Sequence, residues 1–567
     1  MNDIRRSILW VVFGFSMVML WDQWQVANGN PATFFPAPKP AVTASAPAAA
    51  GATTPIAVPQ AAGATPGVTP GATPPSGAAP ATSKSERFTV TTDVVRLTFD
   101  TEGGSVVGSE FLQHAADAVD GKQTSARFVL LEDTPQRFYV AQSGLIGGDF
   151  PNHTTVMTAS AERELKAGAN ELVVRFESPA KNGVKLVKTY TLQRGAYDVA
   201  VKHEIVNIGT EPVSPRVYLQ LVRDGSKLPG ESAFYSTFTG PAVYTDEKKF
   251  QKVEFADIDK NKADYQKESR IGYVSMVQHY FASAWILPNG VQRELFVRKP
   301  ENNRYAAGLI TPPEALAPGA TQAVTATFFA GPQEEKMLER VAPGLDLVKD
   351  YGWLTILAKP LYWLMDKLHG FLGNWGWSIM GLVLVIKIAF YWLQAKGYES
   401  MAKMKAINPR VMAMRERLKD NPQQMQQEMM KLYREEKVNP IGGCLPILVQ
   451  VPVFIALYWV LLSSVEMRHA PWIGWIQDLS AKDPFYILPV VMTLTTMLQT
   501  ALNPVPPDPL QAKLMWFMPL IFSVMFFVFP AGLVLYWITN NVLSIAQQWL
   551  INTRMGVPPE FNIPKFK

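Results

Sequence analysis

Cysteine is nearly absent from this 567-residue chain, in which Cys444 is the single example. One cysteine excludes an intrachain disulfide and any zinc or redox site that needs a pair of cysteines. The sequence also lacks the GxxxxGK(S/T) phosphate loop, the HExxH zinc motif and the GxSxG nucleophile motif, so it does not indicate a nucleotidase, a zinc protease or a serine hydrolase. We therefore expect no cofactor and no enzymatic activity.

Charged residues are also scarce, at 18% of the chain against 48% apolar residues. The apolar residues are concentrated in the last third, which predicts a membrane protein that carries a separate soluble domain. The net charge of +5 is modest for this length and gives no reason to expect a specific nucleic-acid partner.

The N-terminal residues 1–28 place Arg5 and Arg6 ahead of an apolar run that extends to Trp21 and Trp24. No small-x-small cleavage pattern follows, and the tryptophans suit a membrane interface, so we predict a transmembrane anchor rather than a cleaved signal peptide. Residues 29–85 consist mainly of Pro, Ala, Gly, Thr and Ser and have little to bury, which predicts a flexible linker.

Residues 86–340 alternate apolar and polar side chains in segments such as RFTVTTDVVRLTFD and NELVVRFES. Short strands bounded by turns, with few helical periods between them, predict an antiparallel β-sandwich rather than βαβ units. Residues 341–372 then place apolar residues at helical spacing and include Trp353 and Trp363. We predict an amphipathic helix on the membrane surface, with packing on the sandwich as the alternative.

Five further apolar segments each approach the roughly 20 residues that cross a bilayer. With the anchor they predict six transmembrane helices, of which five form a helical core at 373–552 followed by a cytoplasmic tail at 553–567. Pro530 begins a tight hairpin between the last two, although one long bent helix is the alternative. The five segments are 375–396, 441–465, 485–502, 514–530 and 532–551.

The basic residues predict the orientation in the membrane. They cluster between Lys396 and Lys437, whereas the loop after the third span holds only Arg468 and Lys482. The positive-inside rule therefore places the first loop in the cytoplasm. Both termini are then cytoplasmic, and the β-sandwich is periplasmic, outside the inner membrane.

The basic loop at 397–440 contains two helix-forming segments separated by Asp420, Asn421 and Pro422, which predicts a cytoplasmic helical hairpin. Methionines recur along both segments and form a flexible apolar surface of the kind that binds varied helices. Packing of the hairpin on itself or on lipid is an equal alternative, and its charge also suits anionic headgroups. The candidates for receiving a substrate are Met404, Met414, Met425 and Met429.

Lys387 lies near the middle of the second span, where a charge costs about 2.5–3.5 kcal/mol on insertion scales. The other spans have no Asp, Glu, Arg or His in their interiors, so its partners must be polar side chains, water or an arriving group. We expect a hydrated cavity that attracts acidic groups of a visiting chain. For the asparagine and glutamine side chains among the candidate partners named next, hydrogen bonding between helices is the alternative role. The candidate partners are Gln450 and a stripe on one face of the sixth span, Tyr536, Asn540, Ser544 and Gln547, flanked by Trp537.

The segments KVNPIGGCLPILVQVPVFIALYWVL, LSAKDPFYILPV and FPAGLVLYWITNNVLSIAQQ resemble the YidC-type membrane protein insertases of the YidC/Oxa/Alb family, in the Gram-negative form with a large periplasmic domain. The resemblance extends from about 350 to 552. It implies a groove open to the cytoplasm and to lipid, with a positive residue at the position of Lys387, where many relatives have arginine. It also implies that Tyr536 contacts substrate, with Trp537 replacing a second tyrosine of some relatives.

The resemblance further implies a periplasmic β-supersandwich, a substrate-receiving hairpin and partnership with the Sec translocon. We expect an insertase and chaperone for newly made membrane proteins, whose basic hairpin and tail offer contacts for a ribosome or targeting factors. A secondary transporter or channel that uses Lys387 is the main rival, although internal repeats and paired ionisable residues are missing from the sequence. An anchored β-domain that binds periplasmic ligands is the third interpretation.

Overall fold

A computed structural model describes residues 85–116, 126–226, 237–418, 421–436, 445–503 and 509–554, together with Gly556 and Phe561. The expected anchor and nearly all of the expected linker lie outside the described residues. The chain forms two compact units whose boundary falls between Lys349 and Asp350. We call them the β unit and the helical unit.

The β unit consists of two antiparallel sheets, as the alternating pattern predicted. The first sheet has the order β1-β2-β3-β6-β11-β18-β17-β14, with β4 beside β3 and β5 beside β6, and the second has the order β13-β12-β15-β16-β19-β10-β9-β8-β7. The strands of the first sheet are β1 Arg87–Thr91, β2 Val95–Asp100, β3 Ser105–Ala115, β4 Arg127–Val129, β5 Glu132–Asp133, β6 Phe138–Ile146, β11 Arg216–Asp224, β14 Glu268–Ser269, β17 Arg293–Glu301 and β18 Arg304–Ile310. Those of the second are β7 Thr158–Ala161, β8 Glu171–Glu177, β9 Val184–Gln193, β10 Asp198–Asn207, β12 Gly240–Thr245, β13 Lys249–Lys252, β15 Gly272–Gln278, β16 Phe281–Ile286 and β19 Thr321–Pro332.

The alternation of side chains along a strand explains how each sheet buries one face. In β8, Leu172, Val174 and Phe176 are buried, and the residues between them are exposed. The two sheets are also joined by a hydrogen bond, because the Nε1 of the fully buried Trp285 in β16 donates to the carbonyl oxygen of Gln220 in β11 at 3.2 Å. Apolar packing and this bond together fix the two sheets face to face.

A buried lysine forms a second link between the sheets. Lys188 in β9 is fully buried, and its Nζ donates to the carbonyl oxygens of Gly103, at 2.6 Å, and of Ser143 in β6, at 2.7 Å. Its neighbour across the ladder, His203 in β10, has its Nε2 2.9 Å from the Ser143 hydroxyl. Burial lowers the pKa of Lys188 to about 7, and burial together with the Lys188 charge lowers the pKa of His203 to about 3. The sandwich core therefore contains a polar cluster that links the two sheets.

The helical unit contains the remaining long helices. Two short helices, α1 Phe255–Asp259 and α2 Glu335–Val341, belong to the β unit. Those of the helical unit are α3 Thr355–Leu372, α4 Trp375–Ala389, α5 Tyr391–Arg417, α6 Pro422–Glu435, α7 Leu445–Ser463, α8 Ile487–Leu502, α9 Pro509–Met525 and α10 Ala531–Arg554.

The amphipathic helix begins at Thr355, later than the predicted 341. Single 3-10 turns, Leu345–Val348 and Gly352–Leu354, precede it. Gly352 has a φ of +64°, and a Cβ there would lie 2.8 Å from the indole of Trp459, so the backbone needs glycine and leaves the helical region at this point. Within α3, Ala358, Tyr362 and Met365 are buried at helical spacing against the other helices.

The opposite side of α3 is apolar and exposed. Trp353 and Trp363 are 67% and 60% exposed, and Ile356 and Phe371 reach 86% and 87%. A helix with one packed face and one exposed apolar face has the composition expected at a membrane interface. The surface location itself stays a prediction.

The segment predicted as a straight second span is divided. Helices α4 and α5 meet at Phe390 with a bend of 67°. Within the described ranges no individual helix has both the length and the hydropathy needed to cross a bilayer. The helical segments 375–389 and 391–400 meet both requirements only when they are taken together as a bent pair. The count of six transmembrane helices therefore stays a prediction.

Helix α10 lies at the centre of the helical unit and contacts α4, α5, α7 and α8. It is separate from α9, as the predicted hairpin at Pro530 requires. The first amides of α10 find acceptors in the loop before α8, because the N–H of Ala531 donates to the carbonyl oxygen of Ala481, at 2.7 Å, and that of Gly532 to Leu479, at 2.9 Å. These bonds fix the start of the helix that carries most of the candidate site.

The buried lysine of the β unit leads to a pH-dependent prediction. An unfolded lysine has a pKa of about 10.4, so between pH 7 and 10 the unfolded state binds a proton that the folded state does not. The contribution of Lys188 to the free energy of unfolding should therefore rise with pH across this window, by at most about 1.4 kcal/mol per pH unit, and level off below about pH 7. The lowered pKa of His203 adds a separate slope of the same sign between about pH 3 and pH 6.5. Pulse proteolysis in urea, scored on fragments from 85–349 of the intact chain, measures this dependence.

Lys188→Met is the control for the same experiment. It should be less stable because two carbonyl oxygens lose their donor, and the Lys188 part of the pH slope should disappear. Parallel pH curves for the wild type and the variant would show that Lys188 keeps one protonation state across the window.

Candidate functional site

A small cavity lies where α4, α5, α7 and α10 meet. The space open to the centre of a water molecule there is about 20 Å³, and a single water needs about 10–15 Å³ by this measure. The cavity is therefore large enough for a water beside its polar groups. Its lining residues are Val383, Ile386, Lys387, Phe390, Leu393, Gln394, Gln450, Val453, Tyr536 and Asn540.

Lys387 provides the only charged group in the wall of this cavity. Its side chain is buried, at 7% exposure, and its Nζ donates to the Ser544 hydroxyl at 2.7 Å. Ser544 in turn donates to the carbonyl oxygen of Asn540 at 2.6 Å. Among the described residues, no carboxylate oxygen lies within 4 Å of the Lys387 Nζ. Polar side chains were expected to take the place of a counter-ion. The structure shows this as a hydrogen bond from Lys387 in α4 to Ser544 in α10.

The position of Lys387 along its helix differs from the sequence expectation. The lysine lies in the last turn of α4 rather than in the middle of a straight span. The C-terminal end of a helix carries a partial negative charge that stabilises a nearby cation. The bend at Phe390 thus places the ammonium at a helix end, where its burial costs less than it would beside a continuous helix.

The predicted partners in α7 and α10 meet at the same cavity. Gln450 donates through its Nε2 to the Asn540 Oδ1 at 2.7 Å, which joins α7 to α10. Tyr536 is 3% exposed, and its ring stacks on Phe454 with the centroids 5.8 Å apart. Of the five predicted groove residues, Lys387, Gln450, Tyr536 and Asn540 line the cavity.

Trp537 lies beside the cavity instead. Its ring packs edge-on against Phe454, with the centroids 4.7 Å apart, and against Phe526, at 5.1 Å. Tyr536 and Trp537 point about 100° apart on the helix, and of the two only Tyr536 lines the cavity. The aromatic pair is therefore divided between the cavity wall and the packing around it.

A second face of α10 binds α8. Asn541 donates through its Nδ2 to the hydroxyls of Thr495, at 3.2 Å, and Thr496, at 2.8 Å. Gln548 donates through its Nε2 to the carbonyl oxygen of Leu502 at 3.3 Å. Hydrogen bonding between helices, the alternative role expected for the amides, thus accounts for this face.

Gln394 belongs to the cavity wall and was missed by the sequence interpretation. It is 7% exposed and follows Lys387 by seven residues. That spacing repeats one helix face and could have identified it. The prediction of a single straight span instead placed Gln394 near the membrane surface, where a polar residue needs no explanation.

The helical hairpin is formed by α6 and the far part of α5, so its first helix continues from Tyr391 without a break. Ion pairs Arg410–Glu436 and Arg417–Glu428 join the two arms. The four predicted methionines are half-buried, whereas Met412 and Met430 are 51% and 45% exposed. Residues 419–420 and 437–440 of the expected hairpin lie outside the described residues.

The loop between α7 and α8 is held by carboxylates that the sequence interpretation did not single out. Asp483 accepts from the amide of Leu488 at 2.7 Å and from the indole of Trp475 at 3.1 Å, which fixes the start of α8. Asp478 lies 3.2 Å from the Nδ1 of His469. In the described part of the chain, no three His, Cys, Asp or Glu residues form a cluster suited to a metal ion.

Two family models match the chain in succession, the YidC periplasmic domain over residues 87–364 and the 60Kd inner membrane protein over 367–557. A membrane protein insertase YidC of Cupriavidus taiwanensis is 57% identical over 563 residues, and one of Ralstonia nicotianae is 54% identical over 555 residues; both alignments cover 98% of each chain. A solved structure described as an active YidC insertase with the first transmembrane domain resolved has 20% identity and a TM-score of 0.38, and covers 82% of this chain and 92% of its own.

These matches confirm the resemblance found in the sequence. Their descriptions name a periplasmic domain where the β unit lies and an inner-membrane protein where the helical unit lies. The chain therefore belongs to the YidC family of membrane protein insertases.

Proposed function

We propose that this chain inserts newly made proteins into the inner membrane and assists their folding, without a covalent reaction of its own. The observation that carries the proposal is the buried Lys387 ammonium in a cavity wall, in the last turn of its helix and bonded to a hydroxyl rather than paired with a carboxylate. Such a cation attracts acidic groups of an arriving chain. The polar walls around it lower the cost of moving hydrophilic backbone into the membrane.

The driving force comes from the substrate. Burial of an apolar helix in lipid yields roughly 25 cal/mol per Å² of apolar surface. For an acidic tail the membrane potential adds about 2.3 kcal/mol per charge per 100 mV. The groove lowers the barrier along this favourable path, so no nucleotide is required.

The arrangement in the membrane follows the distribution of charge. We place both termini and the α5–α6 hairpin in the cytoplasm and the β unit in the periplasm, with six spans that include the N-terminal anchor. The basic residues of the hairpin and the exposed apolar side of α3 support this arrangement. On this assignment the bent pair of α4 and α5 forms the second span and leads directly into the hairpin.

The hairpin is the proposed receiving surface for substrates and, with the C-terminal tail, for a ribosome or targeting factors. The exposed Met412 and Met430 offer flexible apolar contacts on its two arms. The Sec translocon is a proposed partner for substrates that arrive through it. Transporter spans usually carry paired ionisable residues, and among the described residues no carboxylate oxygen lies within 4 Å of the Lys387 Nζ.

The role of the charge can be tested with Lys387→Ala and Lys387→Arg. A charge-assisted hydrogen bond is worth about 1.5–3 kcal/mol, so the alanine variant should insert a client with an acidic tail about tenfold more slowly, and the arginine variant should retain most of the rate. The measurement is the protease-protected fraction of the client in proteoliposomes of the purified chain.

The same client with a neutral tail is the control for that experiment. Its insertion should change much less, because it lacks the carboxylates that meet the ammonium. Full insertion of the acidic tail by the alanine variant would remove Lys387 from the mechanism.

The hairpin proposal can be tested by photocrosslinking from single positions to a stalled nascent membrane protein. We expect adducts at Met412 and Met430, with weaker adducts at the half-buried Met404 and Met429. Glu435 is the matched control, since it is exposed but lies about 140° around α6 from Met430. Adducts of equal strength at all five positions would indicate contact by proximity alone.

A further inference from the structure

Three buried glutamines of the helical unit carry amide atoms that have no hydrogen-bond partner among the described residues. One of them, Gln548, leaves only its Oε1 unpaired and is bonded to the α8 side through its Nε2. The other two follow Lys387 and Ser544 along the chain. Gln547 is 9% exposed, and both its Oε1 and its Nε2 are unpaired; Gln394 is 7% exposed, and its Oε1 is unpaired. Buried polar atoms in folded proteins are almost always hydrogen-bonded. These amides can therefore bind a group that is not among the described residues.

Both glutamines lie on the same side of the bond between Lys387 and Ser544. Gln394 is in the cavity wall, seven residues after Lys387 and beyond the bend at Phe390. Gln547 follows Ser544 by three residues on the same face of α10, about 4.5 Å further along the helix axis. The two amides thus continue the polar wall from Lys387 in the direction of the α5–α6 hairpin.

The chemistry of the unpaired atoms identifies their ligand. A lysine only donates hydrogen bonds, whereas a glutamine amide both donates and accepts. The unpaired Oε1 atoms of Gln547 and Gln394 need a hydrogen-bond donor, so a carboxylate or a phosphate without its proton does not satisfy them. A peptide group offers an N–H and a C=O side by side, and Gln547 can bond both. Every protein client carries this group whatever its side chains.

We propose that Gln547 and Gln394 bind the main chain of the hydrophilic segment that a client draws into the groove. The inference rests on the proposed insertase function and adds the part of the substrate that is recognised. Lys387 then selects for charge in the tail, and the two amides provide hydrogen bonds that do not depend on the sequence of the tail. Such bonds replace the water that the backbone loses as it enters.

The first test uses Gln547→Met and Gln394→Met in the full-length chain. Methionine has nearly the length and volume of glutamine but removes the amide. We expect unchanged or higher thermal stability in detergent, because an unpaired buried amide is lost, and insertion of a small single-span client that is slower by about two- to tenfold.

Neighbouring residues of α10 supply matched controls. Gln548→Met removes bonds from its Nε2 to Leu502 and Asn503, so it should lower the unfolding temperature. Val542, which is 48% exposed, should tolerate Val542→Met with no change in stability or insertion. Loss of stability in Gln547→Met would assign Gln547 a structural role and overturn the proposal.

The second test changes the ligand. A synthetic client whose tail carries N-methylated peptide groups keeps its side chains but loses the N–H donors that the Oε1 atoms would bind. N-methylation also makes the tail less polar, so the decisive quantity is the interaction between the two changes in a double-mutant cycle. We expect methylation to slow insertion by the wild type about two- to tenfold more than it slows insertion by Gln547→Met.

Each remaining outcome has a definite meaning. Equal effects of methylation on wild type and variant would show that the amides do not bind the backbone N–H, and a resident water would then be their partner. Wild-type rates in both methionine variants would also overturn the proposal. Failure of the wild-type chain to insert the unmodified client would instead reject the proposed function itself.

Discussion

The hydrogen bond from Lys387 to Ser544 is the interaction on which the organisation of the helical unit depends. It joins the end of α4 to the middle of α10, two helices whose other buried residues in the shared core are mainly apolar. A cation in such surroundings is costly unless nearby dipoles compensate it. The Ser544 hydroxyl and the C-terminal end of α4 supply those dipoles. Because neither carries a full charge, the ammonium keeps the capacity to attract an anion.

The β unit treats a buried lysine differently, and the comparison clarifies both sites. Lys188 donates to two carbonyl oxygens that belong to the fold itself. Its donors are largely used, and its role is to hold two sheets together. Lys387 has one hydroxyl partner among the described residues and lies in a cavity wall. The same side chain is structural in one unit and available in the other, because the number of fixed acceptors differs.

Helix α10 separates structural from functional polarity by its two faces. Asn541 and Gln548 donate to α8 and hold the helix in place. Asn540 lines the cavity and accepts a bond from Gln450, and Ser544 accepts a bond from Lys387. The start of the helix is fixed by backbone bonds to the loop before α8. A rigid polar wall results, so the groove residues are positioned before any client arrives.

Local pattern in the sequence was enough to determine the β-sandwich and the stripe from Tyr536 to Gln547, since each follows from a period of 2 or 3.6 residues. Pro530 also marked the separation of the last two helices. Only the tertiary structure decided that Lys387 lies in the last turn of a helix and donates a hydrogen bond to Ser544, 157 residues further along the chain. It also decided that Gln394 lines the cavity and that Trp537 packs beside it. These features depend on the bend at Phe390 and on the rotation of α10 against its neighbours. Packing between distant segments sets both, and no local repeat encodes it.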